Sequence, residues 1–388
     1  MPARTASLDR SRRSVHLGVD LTDAGAHPAA WRVAGSRPAR LFDPDRLAAL
    51  VATAQRGLLD LVAFDDAFTL QPRTRGVRGR LDAALVAARL APRSAGIGLV
   101  ATVDTTHTEP FHVSKALATI DHVSVGRAAW QVGWSTTDAA ARAFGRKGPQ
   151  DEPDAIAEAD EAAHVVARLW DSWEDDAEIR DVASGRFVDR DRLHHIDHEG
   201  VRFAVKGPSI TPRPPQGRPP VVVRVTHPDA VALAGRHADV VRVRATTAGE
   251  ARDLRDRVRA AAVASGRDAD DVLVLVDALV VLADDTGAAR ARLDFLQELE
   301  EVPTEHGSLV HAGTGADLAA LAASWVADGA ADGLHLRPAS LATDLDLVVD
   351  RVVPALQRAG VFRTAYPGST LRDTLGLARP ANVFAVTA

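Results

Sequence analysis

The chain has 388 residues, of which 46% are hydrophobic and 25% charged, with a formal net charge of -6. That balance suits a folded, water-soluble protein. It excludes the basic face that a duplex-binding protein uses to neutralise phosphates, so no nucleic-acid partner is expected. Cysteine is absent, which excludes disulfides, thiolate metal centres and a cysteine nucleophile.

The length exceeds a typical single domain and suits one large α/β barrel with insertions. Lysine stands only at Lys115, Lys147 and Lys206, while arginine and alanine are abundant, a pattern of coding bias rather than of an arginine patch. The start, Met1 to Ser14, is polar and arginine-rich with no apolar stretch after its charges, so it does not read as a secretory signal. No run of about 18 apolar residues occurs, so no membrane span is expected. A cytoplasmic protein is the default expectation.

Short β-branched runs alternate with alanine- and leucine-rich helical patterns. Val15–Val19 reads as the first strand, followed by a helix near Pro44 to Arg56 and a second strand at Leu61–Phe64. A helix over Leu81–Leu90 leads to a third strand at Ile97–Ala101, and a helix over Pro110–His122 to a fourth at Arg127–Trp134. The rhythm then breaks. Glu152–Trp173 is an acidic helix, Ile179–Lys206 is polar and loop-rich, and Gly207–Pro220 is rich in proline. It resumes with strands at Val221–Val223, Asp239–Val241, Val272–Leu282 and Asp332–Leu336.

Strand–helix alternation argues for a parallel sheet, because parallel neighbours need a crossover. Eight such units fit a closed (β/α)8 barrel of the TIM type. An open doubly wound sheet is the competing reading, but no G-x-G-x-x-G follows the first strand. No linker divides the chain, so residues 1–388 read as one barrel domain with an insertion at about 137–220, placed at the mouth where βα loops carry function.

Candidate chemistry belongs just beyond the carboxyl ends of the strands. His16, Asp20, Asp65, Asp66, Thr102, Asp104, Thr105, Gln131, Trp134, Arg224, Thr226 and His227 qualify by position. Asp65 and Asp66 are adjacent on an extended segment and point to opposite faces, so they are not a carboxylate pair. No Ser–His–Asp order stands out, and no catalytic residue is assigned. The stretch from His194 to His198 reads as a solvated loop rather than a metal site. Gly313-Thr314-Gly315 suits either an anion site or a helix start capped by Thr314. Trp130, Trp134, Trp170 and Trp173 read as packing residues. Trp31, after the first strand, suits a pocket wall as well as it suits the core.

Several ordered stretches carry a resemblance. They are His27-Pro28-Ala29-Ala30-Trp31-Arg32; Ile97 to Arg127, including Pro110-Phe111-His112 and Leu117 to Gly126; Leu169 to Ala177; Gly207-Pro208 and Pro215 to Pro219; Val353 to Gln357; Tyr366; and Thr370 to Asn382. Together they resemble the flavin-dependent monooxygenases of the luciferase-like superfamily, in its nitrilotriacetate and dibenzothiophene sulfone monooxygenase group. The resemblance implies a TIM-type barrel, a homodimer or homotetramer, and FMN arriving reduced from a separate flavin reductase. It implies oxygen insertion into a small organic substrate, with chemistry carried by the cofactor. No metal is implied.

Carried over by position, Asp66 matches the family aspartate beside the flavin ring, Thr102 a threonine after the third strand, and Gln131 an asparagine. His16, Trp31 and His112 are further candidates for the substrate pocket, though packing suits each of them at least as well. Asp104 replaces a serine beside the flavin, and Glu152 and Ile156 replace a histidine and a tyrosine near the phosphate. The phosphate-gripping loop after the fifth strand reads Arg224-Val225-Thr226-His227, so Arg224, Thr226 and His227 are the expected phosphate contacts. The altered grip keeps two other readings open: a noncatalytic barrel, and a deazaflavin-dependent oxidoreductase.

Overall fold

The computed structural model describes residues 14–71, 76–300 and 307–385. The polar start read at Met1 to Arg13 lies outside them. Eight parallel strands close into a barrel: β1 His16–Asp20, β2 Leu61–Phe64, β3 Gly98–Asp104, β4 Ala128–Gly133, β5 Val221–Val225, β6 Val240–Val243, β7 Leu273–Leu282 and β8 Gly333–Pro338. Closure is direct, because β8 pairs with β1 in the register His16–Gly333 to Val19–Leu336. A further strand, Leu309–Gly313, lies beside the distal half of β7, from Ala278 to Leu282.

Both faces of these strands are covered, which is why they read as continuous apolar runs. The largest core lies between the barrel and its helices, with Leu17, Val19, Leu99, Trp130, Val223 and Val241 on the outward faces of their strands. Local signals fix where the helices begin. Asp43, Asp82, Asp151 and Thr247 each accept a backbone N–H in the first turn of the helix that follows. Thr314 and Thr370 form full capping boxes with Asp317 and Asp373, so the Gly313-Thr314-Gly315 turn serves as a helix start.

The floor of the barrel is plugged. Leu371 and Leu375, on the helix Leu371–Leu375, pack against Leu61, Val100, Ala129, Val222, Val240 and Leu275 inside it. Gly98 makes room, since a Cβ there would stand 2.5 Å from Leu371 Cδ1. Arg372 anchors the plug by donating to the Arg218 carbonyl and to both carboxylate oxygens of Asp239.

The break after β4 is distributed differently from the expectation that it all lies at the mouth. Residues 134–151 do extend the mouth, with the short helix Asp138–Phe144. The helix Glu152–Asp171 is the regular crossover, packed on Pro110–Ser124 and Ala230–His237. A crossover returns the chain to the start of the next strand, so residues after 171 emerge at the floor. Gln216 there donates to the carbonyl of Ala128, the first residue of β4, and Arg213 donates to Asp171 and the Pro380 carbonyl. The hairpin joining His198–Glu199 to Ala204–Val205 climbs the outside of the crossover helix, where Glu161 accepts from His198 and Arg202.

Among the described residues no helix is long and apolar enough to cross a membrane.

Candidate active site

Side chains alternate along a strand, so every second residue of β1 to β8 faces the barrel axis. Near the carboxyl ends, those inward positions are polar: Asp20 on β1, Thr102 on β3, Gln131 on β4, Arg224 on β5, Arg242 on β6, Asp277 on β7, and His335 and Arg337 on β8. Asp65 follows β2 and Arg244 follows β6.

Arg242 is the hub. Its Nε donates to Asp277 Oδ1 at 2.8 Å and Nη2 to Asp277 Oδ2 at 3.1 Å. Nη1 and Nη2 reach Asp20 Oδ1 and Oδ2 at 3.2 and 3.1 Å, and Nη1 also donates to Gln131 Oε1 at 2.9 Å. Gln131 in turn donates from Nε2 to Thr102 Oγ1 at 2.8 Å, which fixes its amide orientation. Arg242, Gln131, Asp277 and His335 are all buried. Burial would raise the Asp20 and Asp277 carboxyls, but the Arg242 guanidinium beside them holds both below the usual carboxylate range. Burial and the nearby Arg242 push the His335 imidazole below its ordinary range, against the pull of Asp20. Its Nε2 donates to Asp20 Oδ1 at 2.9 Å, while Nδ1 has no partner among the described residues. Gly18 leaves the room for that ring, since a Cβ there would lie 2.6 Å from Nδ1.

Above this network opens a cavity of about 390 Å³. Its walls include Asp20, Asp65, Arg80, Arg224, Arg242 and Arg337, with His27 and Trp31 from the loop after β1. The volume is that of a small-molecule site, and its place at the strand ends is where barrel enzymes bind substrates. Arg224 holds Asp65 loosely, at 3.3 Å between partly exposed groups. Arg244 has no ion-pair partner among the described residues. Partial burial, then repulsion from Arg224 and Arg337, pull its pKa below the ordinary value, as expected of cations crowded together.

The structure brings Thr102, Gln131, Arg224 and Trp31 to this region. Thr226 is exposed at the mouth just past β5. His227 beside it uses Nδ1 to accept the Asp229 N–H at 3.3 Å, which supports the start of the helix Ala230–His237. Asp104 turns into the adjoining loops, where Oδ1 accepts the Thr106 N–H at 2.8 Å and Oδ2 accepts from Ser135 Oγ. Burial raises its carboxyl above the ordinary range. Beside it His107 stacks on Phe144 at 4.9 Å, and Phe68 meets Phe144 edge-on at 4.5 Å. Asp66 points away from the cavity: its oxygens accept the Ala67 and Ala83 N–H groups at 2.7 and 3.0 Å, securing the helix Ala83–Leu90. Asp65 is the aspartate that faces the mouth.

Two expected pocket residues lie elsewhere. His16 is the first residue of β1, at the floor, and its Nδ1 bonds Asp60 Oδ1 at 2.8 Å. His112 is exposed on the helix Pro110–Ser124 and does not line the cavity. The histidine-rich loop is spent on structure, with His194 on Glu174, His195 on the Gly207 carbonyl and His198 on Glu161. Trp130 and Trp170 pack edge to face, with their N–H groups on the Val103 and Ser114 carbonyls.

Asp277, His335, Arg337, Arg242 and Arg244 are the site residues that the sequence reading passed over. The available signal was a lone charge inside a β-branched run, as in Leu-Val-Leu-Val-Asp-Ala-Leu-Val around Asp277 or Val-Val-Arg-Val around Arg242. Such a charge is costly in a buried strand unless it is paired across the barrel.

The sequence model described as luciferase-like monooxygenase matches residues 24–360. Nitrilotriacetate monooxygenase component A of Aminobacter aminovorans is 31% identical over 96% of this chain and 98% of that protein. Among solved structures, EDTA monooxygenase from Chelativorans sp. BNC1 superposes with a TM-score of 0.83 at 25% identity, covering 95% of this chain and 99% of the other. A riboflavin lyase, solved with a modified FMN and riboflavin, superposes with a TM-score of 0.85 at 24% identity, covering 93% and 95% of the two chains.

Proposed function

Because the chain belongs to the luciferase-like monooxygenase family and is an enzyme of that class, we propose that it is the oxygenase of a two-component system. It takes reduced FMN from a separate flavin reductase and uses dioxygen to oxidise a small organic substrate. The observation that carries this reading is the cavity at the strand ends, floored by the Arg242 network and flanked by cations not fully paired within the protein.

The residues present fit a phosphorylated flavin. A ring with a polar edge needs fixed donors and acceptors, and the Thr102–Gln131–Arg242 chain supplies them in one orientation. A phosphate needs cations and donors, which Arg224, Arg244, Thr226 and the free Nε2 of His227 offer at the ends of β5 and β6. In this reading Asp65, Thr102 and Gln131 face the ring, while Arg224, Thr226 and His227 meet the phosphate. Bound reduced FMN supplies the electrons that activate dioxygen. The chain's own part is orientation and exclusion. Arg242 keeps Gln131 aimed, and the Phe68–His107–Phe144 stack covers the side of the mouth next to Asp104. In solution the enzyme is a homodimer or homotetramer acting in the cytoplasm.

The test is an anaerobic titration with reduced FMN, followed by fluorescence quenching. Saturable binding is expected, with affinity falling roughly tenfold in Arg224→Ala, the loss of a charge-assisted contact. Absence of saturable binding by the wild-type protein would end the oxygenase reading. The same titration with a deazaflavin separates FMN from that alternative.

A further inference from the structure

A second cavity, of about 330 Å³, lies at the other end of the barrel, beside the first residues of β5 and β6. One wall is apolar. Ala163, Ala167 and Trp170 stand at successive turns of the helix Glu152–Asp171, with Val221, Leu377 and Pro380 around them. The two alanines keep the hollow open, because a larger side chain at either place would project into it. The polar wall carries four arginines, one histidine and two aspartates. Arg372 is spent on Asp239 and on the Arg218 and Ala378 carbonyls, and Asp239 is spent with it, since its Oδ2 also accepts the Val221 N–H. The other cations keep donors in reserve. Arg236 gives only Nε, at 2.7 Å to Asp160, and Arg267 gives only Nη1, at 3.1 Å to the Gly235 carbonyl. Arg218 gives Nε and Nη2 to Asp171 and keeps Nη1. His237 meets Asp160 through Nε2 at 3.1 Å. Neither Asp160 nor Asp171 lines the cavity. Asp271, at the exposed rim, is the one lining acid whose side chain has no partner among the described residues.

Three arginines with unspent N–H groups against one unspent carboxylate suit an anionic guest, because guanidinium forks pair with oxyanions. The volume is on the small-molecule scale rather than that of a simple inorganic ion. The opposite wall, with the rings of Trp170 and Pro380, offers such a guest hydrocarbon to cover. We infer that the floor cavity is a second binding site, for an organic anion with an apolar ring. The ring lies along Ala163, Ala167 and Trp170, and the anionic group sits between Arg236 and Arg267. The leucine plug stands between this site and the mouth, so the two fill and empty independently. The assignment therefore does not rest on the oxygenase reading.

The experiment is calorimetric titration of the full-length protein with naphthalene-2-sulfonate. Neutral naphthalene-2-sulfonamide keeps the ring without the charge, and inorganic phosphate keeps charge without the ring. Saturable binding of the sulfonate is expected, with both controls weaker by roughly tenfold or more. Arg236→Gln and Arg267→Gln should each weaken it roughly tenfold, and Ala167→Trp, which fills the hollow, should abolish it. Arg224→Gln, at the mouth, should leave it unchanged. Arg236 is half-exposed and makes one bond, so its variant is expected to fold even if Ala167→Trp does not, and thermal melts verify this. Absence of saturable binding, equal binding of either control, or indifference to Arg236→Gln and Arg267→Gln overturns the assignment. So does displacement of the probe by FMN, or its loss in Arg224→Gln, since either would put the probe in the mouth. Sedimentation of the protein with and without probe adds one more outcome. Dissociation of an oligomer by the probe also overturns the assignment, because the hollow would then belong to an interface between copies. Sulfonate binding by a protein that takes no FMN would sink the oxygenase reading and leave this one standing.

Discussion

Arg242 shows how a single buried charge can be held at the centre of a barrel. Two carboxylates and one amide surround it, and each of these contacts lies within 3.2 Å. Removing the cation would leave Asp20 and Asp277 buried and facing each other. Arg242→Met should therefore destabilise the fold by about 3–5 kcal/mol, measured by urea unfolding; a loss below about 1 kcal/mol would show that the acids find other partners. The sequence announced such residues only as interruptions. A lone Asp in an apolar strand tells that something must pair with it, but the partner comes from another strand and depends on barrel register. The choice between Asp65 and Asp66 was similarly hidden. Alternation says that the two diverge, while only the packed helix Ala83–Leu90 decides which one is consumed as its anchor.

At the scale of elements, the strands were legible because their apolar runs are short, β-branched and separated by helical periodicity. All eight barrel strands fall within or beside the segments read from sequence. The course of residues 172–220 was not legible, since loop composition carries no direction; the handed return of the crossover sets it. The placement of His16 failed for a related reason, because it opens β1 rather than closing it. There it joins a stitch between elements: Asp60 accepts from His16, from Arg363 and from the Leu17 N–H. Burial alone would raise the Asp60 carboxyl, but Arg363 and His16 bring it from 3.8 down to about 2. A depressed carboxyl stabilises the fold above its unfolded pKa and loses that contribution as pH falls through the folded one. The stitch should thus contribute about 2 kcal/mol above pH 4, fading towards pH 2. Comparing acid unfolding of the wild type with Asp60→Asn measures it; the variant should lose the dependence in that window. Identical profiles would remove Asp60 from the account.

For the whole molecule, stability and access are set at opposite ends. The floor is closed by hydrocarbon from the C-terminal helix, a contact between residues far apart in sequence that no local pattern foretells. Leu371→Ala should cost about 2–5 kcal/mol, the range for truncating a fully buried leucine, with little effect on ligand affinity at the mouth more than a barrel layer away. Thermal unfolding and the FMN titration together test this, and a large loss of affinity at unchanged stability would contradict the separation. The rhythm of the chain and its resemblances revealed the barrel as a type. They did not reveal which end each insertion serves, because that depends on the direction of every crossover.

The leucine plug has one more consequence. It backs the Arg242 layer that floors the cavity, so the cavity is a cul-de-sac: whatever reaches its bottom does not pass on through the barrel. If cofactor and substrate both enter there, as the proposed function requires, they share one mouth, and which enters first becomes a question about the barrel's shape rather than about any one side chain.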